Sequence, residues 1–180
     1  MRSTARIVIV FAVMISGLVA LSSIAGARSR AADARDPQRI AALTAMDEAL
    51  GRNDLVAAAQ AWKQARELAL RSRGWRGPAH VADAELRLAV ATDRIRESKP
   101  TARELFLIAL FRARAEGSVD GALYAADGFA RLGDRDAALL AVRIAEQAAV
   151  RSGEGGDRVR AVADRIRQPG APDHPVSSRS

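Results

Sequence analysis

Apolar residues recur along most of this chain three or four apart, the spacing of a helix, and the strict alternation that marks a strand is missing. Asp36-Pro37 reads as an N-cap followed by proline at the first helical position. The helix it opens turns Ile40, Leu43, Met46, Ala49 and Leu50 inward. Gly51-Arg52-Asn53-Asp54 is a short turn with its own cap, and the next helix carries Leu55, Ala58, Trp62, Ala65 and Leu68 on one face. "RGWRGP", residues 73–78, ends that helix with two glycines and a proline. A third helix over 79–97 shows Val81, Leu86, Leu88, Val90 and Ile95, and its Asp83 and Arg87, four apart, are placed to pair along its surface.

Lys99-Pro100 predicts the next break, with Thr101 and Glu104 in a capping-box pattern. "ELFLIALF", residues 104–111, is the most apolar stretch after the N-terminal segment and is expected at the buried centre. Gly117-Ser118 and Gly133-Asp134 predict two further turns, and "SGEGG", 152–156, a third. Asp157 is expected to cap a short last helix with Val159, Val162, Ala163 and Ile166 inward and arginines at 158, 160, 165 and 167 largely outward. The tail, residues 169–180, is polar and proline-rich and is expected to be disordered. About seven helices joined by short turns imply antiparallel neighbours. The helical domain is placed at 36–168, after a linker at 28–35.

The first 27 residues break this pattern. Arg2 and Arg6 precede "IVIVFAVMISGLVALSSIAGA", residues 7–27, which has no charge and no polar face. Small residues Ala25-Gly26-Ala27 suit a cleaved secretory signal, while the length of the run and Arg28 and Arg30 just beyond it suit an uncleaved membrane anchor. Both readings carry the rest of the chain out of the cytoplasm, into the periplasm or beyond, or onto the outer face of the inner membrane.

Composition sharpens the fold class. Forty of 180 residues are alanine and only seven are Trp, Tyr or Phe, which favours an all-α chain with helices in close approach. The absence of cysteine excludes disulfides, thiolate metal sites and a cysteine nucleophile. A net charge of +7 raises nucleic acid or an anionic surface as partners. The arginines alternate with Asp and Glu along most helices, which reads as a solvated face, and no nucleic-acid partner is expected.

Aligning Asn53 with Gly133, an offset of 80, brings Ala58 onto Ala138, Trp62 onto Val142 and Ala65 onto Ala145. On the preceding helices Met46 meets Ala126. This pattern resembles the tetratricopeptide repeat, over 36–72 and 119–152, with 79–117 as a degenerate pair between. Departures are the missing tryptophan and Leu-Gly pair of the first helix and the missing proline after Ser72 and Ser152. The resemblance implies antiparallel hairpins stacked as a short array and a scaffold or adaptor role without turnover. The alternative is a plain antiparallel bundle.

Little in the chain looks like catalytic machinery. His80 and His174 have no second ligand at metal spacing, and His80 is expected to cap a helix or face solvent. "SGEGGDR" lacks the lysine and strand of a phosphate loop. The carboxylate pairs Asp47-Glu48 and Asp134 with Asp136 sit beside turns, where caps and surface pairs explain them. No enzyme activity, catalytic residue, cofactor, metal or small-molecule substrate is expected. Trp62 falls on an apolar stripe and is expected in the core. Trp75, between Arg73 and Arg76 in a glycine-flanked loop, either folds back over the first hairpin or contacts a partner. Tyr124 and Phe129, five apart, face different ways: one packs inward, and the other, taken as Tyr124, lines the surface that stacked hairpins create. Candidate partner contacts are therefore Arg73, Trp75, Arg76 and Tyr124.

Together these features predict an exported or membrane-anchored helical-repeat protein of the bacterial cell envelope that binds a protein or peptide. The alternative is a basic helical domain held electrostatically at anionic lipid or envelope polymer.

Overall fold

Among the described residues seven α-helices form where the helical period runs unbroken: α1 Pro37–Gly51, α2 Leu55–Arg71, α3 Arg76–Ala91, α4 Ile95–Glu116, α5 Val119–Leu132, α6 Arg135–Ser152 and α7 Gly156–Arg167. The computed structural model describes residues 37–167, and no strand occurs among them. The expected export segment, linker, Asp36 cap and tail lie outside the described residues. Among the described residues no helix is long and apolar enough to cross a membrane.

Short polar residues start several helices. The side chains of Asp54, Ser118 and Asp134 accept hydrogen bonds from the backbone N–H of Ala57, Gly121 and Ala137, satisfying donors that a helix start leaves open. Asp157 sits in the first turn of α7, not at its cap, because the helix already begins at Gly156.

The helices pack as consecutive pairs, α1 with α2, α3 with α4 and α5 with α6, and α7 closes the series on α5 and α6. The first helices of successive pairs also touch one another. The repeat unit is forty residues. The turns inside the three pairs place Asn53, Asp93 and Gly133 in the left-handed region, with φ of 59°, 54° and 80°. In that register Ala42, Ala82 and Ala122 are all buried, as are Ala49, Ala89 and Phe129, Ala65, Leu105 and Ala145, and Ala69, Ala109 and Ala149. Val159 and Ile166 of α7 continue the register of Val119 and Ala126, so α7 is built as the first helix of a fourth unit. The sequence offset of 80 is therefore two steps of forty, and residues 76–116 are the middle copy.

That middle copy differs most from expectation. The third helix ends at Ala91, and the break falls at Thr92-Asp93-Arg94, not at Lys99-Pro100. Pro100 lies inside α4 just beyond its first turn, close to the end where few N–H groups have a partner inside the helix. Thr101 and Glu104 therefore form no cap. Pro78 likewise sits in the first turn of α3, which starts two residues before it. With the boundary moved, Val90 and Ile95 are exposed, not inward. Ile40 is also exposed.

The large core side chains gather between α4 and α5. Phe106 and Phe129 meet edge to face with ring centres 5.9 Å apart, an arrangement worth about 0.5–1.5 kcal/mol beyond burial. This contact requires Gly128, because a Cβ there would lie 2.5 Å from the Phe106 ring. Leu105, Phe106, Ala109 and Leu110 are buried as expected of the 104–111 stretch, whereas Phe111 at its end is 56% exposed.

Candidate functional site

The first helices α1, α3, α5 and α7 line a run of hollows on one face. The largest, about 850 Å³, opens between α5, α6 and α7, with Asp83 of α3 on its far wall. A second, about 350 Å³, lies between α1, α3 and α5, and a third, about 400 Å³, between α5 and α7. Tyr124 borders all three. Ala130, Ala138 and Ile166 give the largest hollow an apolar floor, and Asp83, Asp127, Arg131 and Arg165 give it a charged rim.

Ion pairs run between successive first helices along this face. Asp47 of α1 pairs with Arg87 of α3 at 3.0 Å, Asp83 of α3 with Arg131 of α5 at 2.6 Å, and Asp120 and Asp127 of α5 with Arg158 and Arg165 of α7. Asp83 and Arg87 therefore do not pair along α3, as their spacing suggested. Each reaches a neighbouring helix instead, because tertiary packing supplies a better partner than the adjacent turn.

The Tyr124 hydroxyl donates to Asp83, whose other oxygen accepts from Arg131. Burial raises the Tyr124 pKa, and the hydrogen bond and negative charge of Asp83 raise it further, so the phenol stays protonated well above its ordinary range. The ring stands 5.7 Å from Trp75 and 6.0 Å from His80. His80 is thus a half-buried wall residue of the groove, with Arg39 Nη1 3.3 Å from its Nδ1.

The four expected partner contacts separate. Tyr124 lies at the centre of the groove. Trp75 is 5% exposed and packs on Ala79, Ala109, Ala113 and Tyr124, so it supports Tyr124 from below. Nor does it fold over the first hairpin: Gly121 leaves room for the indole against α5. Arg76 lies over the Trp75 ring at 4.8 Å, a cation–π contact. Arg73 is exposed in the α2–α3 loop and lines none of these hollows. Phe129 packs inward, and Trp62, half-buried on its stripe, donates from Nε1 to the Val81 carbonyl.

Two polar sites escaped sequence reasoning. Arg112 of α4 donates to the carbonyls of Ala69, Leu70 and Gly74, so a cation caps the C-terminus of α2. Burial lowers its pKa, opposed by the charge of Glu116. Glu85 is buried on α3, where desolvation raises its pKa against a hydrogen bond from Ser98 and the charge of Arg66. Both depend on partners distant in sequence. Asp134 is both a cap and a partner of Arg103, whose hydrogen bond lowers its pKa.

Among the described residues no group of three or more histidine or carboxylate side chains is placed to hold a metal ion. Comparison of the chain with protein-family models, with characterised proteins and with solved structures returns no match.

Proposed function

We propose that this protein is a non-enzymatic adaptor of the bacterial cell envelope, exported or anchored by its N-terminal segment, that holds an extended segment of a partner protein along its first-helix face. The observation that carries this reading is the position of Tyr124, where three hollows meet on an apolar floor with a charged rim. An extended peptide has the matching chemistry. A small apolar side chain fits over Ala130, Ala138 and Ile166, and polar groups exchange with the Asp83–Arg131 and Asp127–Arg165 pairs at the rim. The stacking is tetratricopeptide-like in plan, with hairpins recurring every forty residues where that family uses about 34.

The electrostatic alternative has less support. Arg158, Arg160, Arg165 and Arg167 of α7 each face a carboxylate, so the basic face that the sequence suggested is largely paired.

The test is recovery of partners from cells on the full-length chain and on its Tyr124→Ala and Arg131→Glu variants. The adaptor reading expects a discrete partner held by the parent protein and by a Val56→Ala control, and lost from both groove variants at unchanged helicity. Equal recovery on all four proteins would remove the groove from the function.

A further inference from the structure

The outer face of α4 carries an apolar stripe that the packing of the array covers only in part: Leu107 leans on the core, and Phe111 is left outside it. Leu107 and Ile108 are half-buried and Phe111 is exposed, on one side of the helix. In the forty-residue register, Leu107 takes the place of Glu67 and Gln147, and Phe111 the place of Arg71 and Arg151. At these two positions the flanking copies are polar where the middle copy is apolar, whereas Ile108 stands where they carry Leu68 and Ala148. On α2 the equivalent pair is an exposed ion pair, Glu67 with Arg71. The stripe ends in opposite charges, Glu104 on one side and Arg114 on the other, both exposed. Among the described residues neither makes an ion pair, although arginines and carboxylates elsewhere on the surface are extensively paired.

We infer that this stripe is the interface of a two-fold homodimer, α4 packing antiparallel on α4 of a second copy. The charge order selects that partner. Glu104, Leu107, Phe111 and Arg114 are symmetric in sequence about residue 109. An antiparallel pairing centred there sets Glu104 of each copy opposite Arg114 of the other, and Leu107 opposite Phe111, twice over. A parallel pairing would set Glu104 against Glu104 and Arg114 against Arg114. This self-complementarity is what an isologous interface requires. The polar rows of α2 and α6 on either side supply the rim. The dimer leaves the first-helix groove open on the opposite face of each copy, so it holds whether or not the groove binds a peptide.

The chain has no cysteine, so a single introduced thiol reports its own neighbourhood. The experiment is mild oxidation of the full-length Ile108→Cys protein, in cells and after purification, against Val150→Cys, with mass by light scattering. A disulfide-linked dimer is expected from Ile108→Cys and not from Val150→Cys, whose side chain is exposed on α6 away from the two-fold axis. Light scattering of the parent protein is expected to give twice the chain mass. Glu104→Arg should lower the dimer fraction several-fold, and adding Arg114→Glu should restore it, an outcome that a merely structural role of either residue does not produce. A monomer at all concentrations, equal cross-linking at 108 and 150, or no rescue by the double reversal would overturn the inference. Adducts of Ile108→Cys only with a different protein would assign the stripe to that partner and overturn it equally.

Discussion

Tyr124 concentrates the chemistry of the groove in one residue. Its hydroxyl is committed to Asp83, its ring leans on Trp75, and Arg131 holds the carboxylate from the other side. It is also the sole tyrosine of the chain, so phenolate absorbance reports it alone. A phenol whose pKa is raised on folding keeps its proton after the unfolded chain has lost it. The contribution to stability is therefore full below the unfolded pKa of about 10 and is lost as pH rises from there toward the folded value. Spectrophotometric titration should show little phenolate at pH 10.5 in the folded protein and a normal midpoint in denaturant. A midpoint near 10 in the folded protein would show that neither the burial of the ring nor the Asp83 contact holds in solution. The partner of Asp83 was not legible in the sequence. The local spacing rule points to Arg87, four residues on, and only the stacking of α1, α3 and α5 reveals that both residues have partners elsewhere.

At the scale of elements, most helices were legible because their apolar period is regular and their turns carry Asn-Asp, Gly-Ser or Gly-Asp. The exception shows what such reading depends on. Asp93 adopts the same left-handed conformation as Asn53 and Gly133, but Thr92-Asp93-Arg94 has no glycine or proline to announce it. Pro100, six residues into α4, suggested a break that the helix does not make, since a proline near a helix start removes few hydrogen bonds. The helix glycines were not legible either, because their reason lies in a neighbour. Gly128 admits the Phe106 ring, whereas nothing lies within 4 Å of a Cβ at Gly51. Gly128→Ala should lower stability, its steric cost of about 1–3 kcal/mol exceeding a propensity gain of about 1 kcal/mol. Gly51→Ala should leave stability unchanged or raise it by about 0.5–1 kcal/mol. Urea denaturation followed by circular dichroism decides both. A stable Gly128→Ala protein would mean that the Phe106 ring does not press on α5 at Gly128.

Across the whole molecule the ion pairs mark the face without holding it together. The four that join successive first helices are mostly half-exposed, with 17–65% of each side chain accessible, and such pairs contribute about 0–1 kcal/mol each. Stability is expected to rest on the alanine-spaced helix contacts and the Phe106–Phe129 core. Raising NaCl to about 0.5 M, where the Debye length is only about 4 Å, should then shift Tm by no more than a few degrees. A collapse of Tm with salt would make the ion pairs the main support. All-α class and hairpin order were readable from periodicity and alanine content. The groove was not, because it is assembled from five helices, the four first helices and α6, whose shared face appears only once the forty-residue stacking is known.

The most direct test places a photo-crosslinking amino acid at Ala130, on the groove floor, and at Val150, on α6, in the full-length protein in living cells. Irradiation should give a discrete heavier species from Ala130, abolished by Tyr124→Ala, and none of the same mass from Val150. The same species from both positions, or no species from Ala130, would contradict an adaptor that works through its first-helix face.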